Sequence, residues 1–156
     1  MREQSIHKQE VHVAGLCFKD DNVLLAKRAS HKKLYPNYWE GCGGQVLQNE
    51  NFEEAILRKF KEELGVLTTN PTVFKTYEIL TPKTKQKKIP GIRFICFFHS
   101  YVNQKYPQIT SDHTEYRWID KHEISQLNLI PGLKEDIEEA FQKIKEKNKK
   151  QTTNSQ

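Results

Sequence analysis

Apolar and polar positions follow two different periods along this chain. Apolar and β-branched residues crowd Val11 to Phe18, Asp20-Asp21-Asn22 interrupts them, and they resume from Val23 to Ala26. Short runs of this kind around an Asp/Asn cluster predict two strands joined as a hairpin. From Asn51 to Leu64 the period changes. Phe52, Ala55, Ile56, Phe60 and Leu64 recur at spacings of three and four, which makes one apolar helix face, and Gly65 ends it. Strand patterns return over Val73 to Leu80 and Ile92 to Val102, with a basic loop between them, and over Tyr116 to Ile119. Glu123 to Leu127 reads as a short helix. Pro131-Gly132 opens a long one, Leu133 to Lys147, whose acids lie early and lysines late, as the helix dipole favours. Strands outnumber the helices interspersed among them. The pattern predicts an α/β sandwich, a curved mixed sheet flanked by helices, rather than a doubly wound parallel sheet. It is expected to form one domain over 1–146, with 147–156 a flexible polar tail.

Composition narrows the classes. Of 156 residues, 36% are hydrophobic and 10% aromatic, enough for one core and against disorder of the whole chain. No apolar run approaches the roughly 18 residues of a membrane span, and the opening MREQSIHKQE is unlike a secretory signal. No membrane association is expected. Cys17, Cys42 and Cys96 are odd in number and widely spaced, which argues against a zinc ribbon or a disulfide framework. A reduced, cytoplasmic compartment is the default. The net charge of +5 suits a protein that handles phosphates without specifying one. The loop carrying Lys83, Lys85, Lys87 and Lys88 lacks interleaved aromatics, so a solvated loop is favoured over nucleic-acid binding.

The chemistry concentrates between Gly41 and Val66, GCGGQVLQNENFEEAILRKFKEELGV. A Gly-rich turn precedes a helix bearing many carboxylates. At about 100° per residue, Lys59, Glu62 and Glu63 fall on neighbouring directions, and Glu63 points close to the face of Ile56 and Phe60. A carboxylate on a core-facing direction is costly unless a cation compensates it. Arg58, four residues before Glu62, is one available partner. A divalent metal is another, and oxygen ligands suit Mg²⁺ or Mn²⁺ better than zinc.

This segment resembles the signature of the Nudix hydrolase family. That pattern runs Gly, five residues, Glu, seven residues, then Arg-Glu-apolar-any-Glu-Glu-any-Gly-apolar. Gly44, Glu50, Arg58, Phe60, Glu62, Glu63, Gly65 and Val66 all fall in register. One specified position departs, Lys59 standing where the family has Glu. The resemblance implies a MutT-like pyrophosphohydrolase that splits the P–O–P bond of a nucleoside diphosphate-linked substrate, with water as nucleophile and Mg²⁺ or Mn²⁺ as cofactor. By position it implies that Gly43, Glu50, Glu62 and Glu63 hold the metal, Gly43 through its carbonyl, and that Arg58 keeps the glutamates in place. Glu62 and Glu63 are then catalytic. Glu115 is the candidate for a replacement base, and Arg28 a candidate phosphate contact. Homodimers are common among similar proteins.

Lys59 leaves two readings open. Its ammonium pairs with a ligand carboxylate, or it snorkels to solvent and leaves one metal subsite vacant. The first keeps alive an alternative function, a Nudix-fold nucleotide-binding or regulatory protein with weak or lost catalysis. An isoprenoid diphosphate isomerase, which the run Leu34 to Trp39 and Cys42 faintly resemble, ranks below both. Trp39, Tyr35 and Phe94 are read as core or rim rather than base-stacking residues, Cys42 is not read as a nucleophile, and the six histidines carry no assignment.

Overall fold

The computed structural model describes residues 9–80, 88–103 and 105–154. Seven strands and two helices follow in the order β1 (His12–Lys19), β2 (Asn22–Arg28), β3 (Trp39–Glu40), β4 (Cys42–Gln45), α1 (Phe52–Leu64), β5 (Val66–Leu80), β6 (Lys88–Tyr101), β7 (His113–Asp120) and α2 (Leu133–Asn154). A 3-10 turn, Ile124–Gln126, stands where a short helix was expected. All seven strands belong to one sheet, and it is mixed. β1 runs parallel to β6, while β1–β2, β1–β4, β2–β3, β2–β7 and β5–β6 are antiparallel.

Period-two alternation divides the core between the two faces of this sheet. Val13, Cys17, Leu24, Ala26, Phe94 and Cys96 point one way and pack with Ala55, Ile56, Phe60 and Leu64 of α1. Leu16, Phe18, Val23, Leu25 and Ile95 point the other way and pack with Leu133, Ile137 and Ala140 of α2. The expected α/β sandwich is therefore present, one helix on each face. α1 starts where its sequence says it should. The Asn51 side chain accepts from the Glu54 backbone N–H at 2.8 Å, and Gly65 closes the helix in the left-handed conformation at φ 61°. Gly15 sets how closely α1 approaches the sheet. A methyl group there would lie 2.8 Å from Ile56 Cδ1 and 2.9 Å from Phe60 Cε2.

Several boundaries differ from the sequence reading. β5 begins at Val66, not Val73, because the whole stretch Val66–Leu80 pairs with β6 through register shifts at Leu67/Thr68, Thr69/Thr72 and Val73/Lys75. Asn70 and Pro71 lie between two of these paired segments. β3 and β4 were not expected at all, β3 being two residues long and β4 half glycine. α2 continues to Asn154, through residues expected to form a tail. The Lys and Gln of that stretch are good helix formers even where they cover no core. Lys83, Lys85 and Lys87 of the basic loop lie outside the described residues. No described helix is long and apolar enough to cross a membrane.

Candidate active site

β1 and β2 pair only near their hairpin, at Cys17↔Leu24, Phe18↔Val23 and Lys19↔Asn22, and then part. Into the fork come β3, bonded to β2, and β4, bonded to β1. Gly43 and Gly44 thus belong to the sheet, and α1 packs against β4. A methyl group on Gly44 would lie 2.6 Å from Lys59 Cε, so the absence of a side chain there lets Lys59 lie along β4.

Arg58 ties the first part of the site together. Its Nε donates to Glu50 Oε2 at 2.9 Å, its Nη2 to Glu50 Oε1 at 2.6 Å and to the Gln45 carbonyl at 2.9 Å, and its Nη1 to Glu62 Oε2 at 3.0 Å. This is the i, i+4 partnership the helix spacing allowed. The guanidinium, with a backbone N–H from Leu47, holds the Glu50 carboxyl below the usual carboxylate range. Glu63 is held separately. Lys59 Nζ pairs with its Oε1 at 2.9 Å, and Cys42 Sγ donates to its Oε2 at 3.0 Å. Burial first, and then the Glu63 charge, push the Cys42 thiol well above its ordinary value, so Cys42 is a neutral donor and no nucleophile. Of the two readings of Lys59, the structure has the ion pair.

The donor set bears on the implied metal. Glu62, Glu63 and the Gly43 carbonyl are hard oxygen donors of the kind Mg²⁺ and Mn²⁺ take. Glu62 is the open member, its side chain 54% exposed and its Oε1 without a hydrogen bond to the described residues. Glu50 is not open, since both its oxygens face Arg58. Three carboxylates meet two fixed cations here, which leaves one net negative charge. Among the described residues no group of three or more His, Cys, Asp and Glu side chains is arranged to hold an ion. Glu62 has an oxygen open to one divalent ion, Glu63 joins it only where Lys59 or Cys42 yields an oxygen, and a cluster that also draws on Glu50 does not fit.

A second network lies across the fork. Arg28 Nη1 donates to both oxygens of Glu40, at 2.9 and 3.1 Å, and its Nε to the Leu34 carbonyl at 2.9 Å. His113 Nε2 bonds the same carboxylate at 2.8 Å. Sequence reasoning singled out Arg28 but missed Glu40 and His113. The signal for them was weak, a Glu beside Trp39 and one histidine among six. This network and Glu63 border one cleft of about 400 Å³, whose lining includes Arg28, Glu40, Gly43, Gly44, Glu63 and His113, while Glu50, Arg58 and Glu62 lie outside that lining.

Glu115 is elsewhere. It pairs with Lys27 in the β2–β7 register, shares its face with Ile119 of the α2-side core, and bonds Arg117 at 2.9 Å. It lies on the face opposite α1 and does not line the cleft. Phe94 is fully buried and Trp39 nearly so, while Tyr35 is exposed at the tip of the 29–38 loop.

Comparison with known proteins shows the family. The Nudix domain model matches residues 8–143. An 8-oxo-dGTP diphosphatase of Proteus vulgaris is 37% identical over 71 residues, which is 44% of this chain and 62% of that protein, under two thirds of its length. The nucleoside triphosphatase NudI of Escherichia coli O139:H28 is 27% identical over 128 residues, 78% of this chain and 89% of that one. The crystal structure of a MutT Nudix hydrolase from Burkholderia pseudomallei superposes with a TM-score of 0.65 at 20% identity, covering 85% of this chain and 98% of that one. With the domain match spanning nearly the whole described fold, this chain belongs to the Nudix hydrolase family.

Proposed function

We propose that this protein hydrolyses the pyrophosphate bond of a nucleotide, a nucleoside triphosphate or another nucleoside diphosphate-linked compound, with one divalent ion held by Glu62, Glu63 and the Gly43 carbonyl. The observation that carries the reading is the cleft, where the Glu63 carboxylate and the glycine backbone of β4 face Arg28 across the fork. Names borne by the relatives, a diphosphatase and a nucleoside triphosphatase, support the same substrate class. When bound, Mg²⁺ or Mn²⁺ neutralises phosphate charge and acidifies water.

The protein's own groups supply the rest. Arg28, fixed by Glu40 and the Leu34 carbonyl, keeps Nη2 without a bond to the described residues, and that donor binds a phosphate oxygen. Arg58 holds Glu62 from one side and leaves its Oε1 free. That oxygen is the one Glu62 offers the ion, and the proton of the attacking water passes to solvent. The water oxygen forms a bond to phosphorus, the bridging P–O bond breaks, and the released phosphate carries away the electron pair. Lys59, already close to Glu63, adds a cation beside the developing charge.

The same Lys59–Glu63 pair favours one alternative, a nucleotide-binding protein with weakened catalysis, because the ammonium competes with an ion for Glu63. Phosphate and pyrophosphate release across a nucleotide library with Mg²⁺ and Mn²⁺ separates the two. Metal-dependent product marks the hydrolase, and tight nucleotide binding without product marks the alternative.

A further inference from the structure

The cations that line the cleft differ in how firmly they are held. Arg28 is fixed on Glu40 and the Leu34 carbonyl. Lys32 is held more loosely. Its Nζ meets Asp112 Oδ1 at 2.7 Å, with the two side chains 30% and 53% exposed, and both residues line the cleft. A pair this open to water is weak. The ammonium still holds the Asp112 carboxyl below the usual carboxylate range, so both groups are charged at neutral pH. An ammonium has three donors, and Asp112 is the one carboxylate that Lys32 meets among the described residues. The backbone sets this pair beside Arg28. Ala29 N–H donates to the Asp112 carbonyl at 2.9 Å, and Lys32 N–H to the Ala29 carbonyl at 3.1 Å, which closes a turn directly after β2. Arg28 and Lys32 therefore leave the same strand end and border the same cleft. Its other carboxylates are each held by two partners, Glu40 by Arg28 and His113, Glu63 by Lys59 and Cys42.

We propose that Lys32 is a substrate-binding residue, a second cationic contact for the phosphate chain beside Arg28, and that Asp112 competes with the substrate for its ammonium. This rests on the nucleotide reading above and deepens it. A single phosphate is met by Arg28 alone. A longer chain carries negative charge past Arg28 and draws the ammonium away, because several phosphate charges attract it more strongly than one half-exposed carboxylate does. Lys32 thereby responds to the length of the phosphate chain, and Asp112 raises the threshold for that response.

Calorimetry in the presence of Mg²⁺ tests this with two probes that resist hydrolysis, inorganic phosphate and di-imidotriphosphate. Lys32→Met should weaken di-imidotriphosphate binding about tenfold and phosphate binding by about twofold or less, since a charge-assisted hydrogen bond to the longer chain is lost. Lys32→Arg should restore most of the loss. Lys33→Met removes the same charge from an exposed neighbour outside the cleft lining, and it should change neither probe. Asp112→Asn breaks the same ion pair from its other side, and it should tighten the longer probe at least about threefold. A pair that only clips the loop would make Lys32→Met and Asp112→Asn shift binding in the same direction, and that result overturns the inference. Equal losses in the Lys32 and Lys33 variants overturn it too, because they would mean diffuse attraction. Unchanged binding in Lys32→Met overturns it even if nucleotides are hydrolysed, as does failure of wild type to bind the longer probe. Opposite shifts in the Lys32 and Asp112 variants without any nucleotide hydrolysis uphold it while the hydrolase reading falls.

Discussion

The Lys59 ammonium stands 2.9 Å from Glu63 Oε1, with the two side chains only 18% and 19% exposed. A lysine one helical turn before a glutamate usually forms a weak, solvated pair. Here the stem crosses Gly44 and the second oxygen of Glu63 is bound by Cys42, so the cation is held beside the carboxylate on which a metal would depend.

Lys59→Glu should therefore tighten divalent-ion binding. Opposite unit charges about 4 Å apart at an effective dielectric near 20 interact by roughly 4 kcal/mol before desolvation. About a third of that, roughly 1.4 kcal/mol, is tenfold in affinity. Mn²⁺ titration followed by electron paramagnetic resonance should show at least about a tenfold lower Kd in the variant, and hydrolysis of a generic nucleoside triphosphate should rise by a similar factor. An unchanged Mn²⁺ affinity would mean that Lys59 leaves Glu63 whenever an ion arrives.

Glu50 gives the fold a defined acid sensitivity. Its carboxyl titrates below the ordinary carboxylate value because Arg58 stabilises the charged form. The stabilisation is complete above the unfolded value near 4.3 and is lost as pH falls through the lowered folded one. Glu50→Gln removes it. The Tm gap between wild type and this variant should be constant from pH 7 to 5 and shrink toward pH 3. A gap that stays level down to pH 3 would show that the Arg58 pair does not stabilise the native state.

The cysteines should be silent. Burial pushes the Cys96 thiol up to about 12 and raises the Cys17 and Cys42 thiols as well, so thiolate is scarce in the folded protein. A thiol reagent at pH 8 should label none of the three in the native state within minutes and all three in guanidinium. Fast native labelling at Cys42 would reopen its reading as a nucleophile.

Packing of α1 on the sheet depends on Gly15. Gly15→Ala puts a methyl group 2.8 Å from Ile56 Cδ1, and overpacking of this kind costs about 1–3 kcal/mol. Thermal unfolding should fall by several degrees. Ile56→Val in the same chain should recover part of that loss, and no recovery would place the strain elsewhere.

The sequence was most readable where one physical rule acted alone. The spacing of Ala55, Ile56, Phe60 and Leu64 located α1, and Arg58 four residues before Glu62 gave the ion pair found. Reading failed where partners are distant in sequence. Nothing near Glu40 shows that Arg28 and His113 converge on it, because strand pairing brings together residues 73 apart. Glu115 was a candidate base only through the family resemblance, and alternation along β7 sends it to the α2 face. Lys59 was legible as a departure, but its direction was not, since that depends on the room left by Gly44.

The central claim is that Glu62 and Glu63 hold a divalent ion that hydrolysis requires. The direct measurement is Mn²⁺ binding and nucleotide turnover on one preparation each of wild type and the Glu62→Gln, Glu63→Gln double variant. With the two charges gone, the account predicts Mn²⁺ affinity and kcat/KM each lower by at least about tenfold, with folding intact by circular dichroism. A double variant that binds Mn²⁺ and turns over its substrate as wild type does would contradict it.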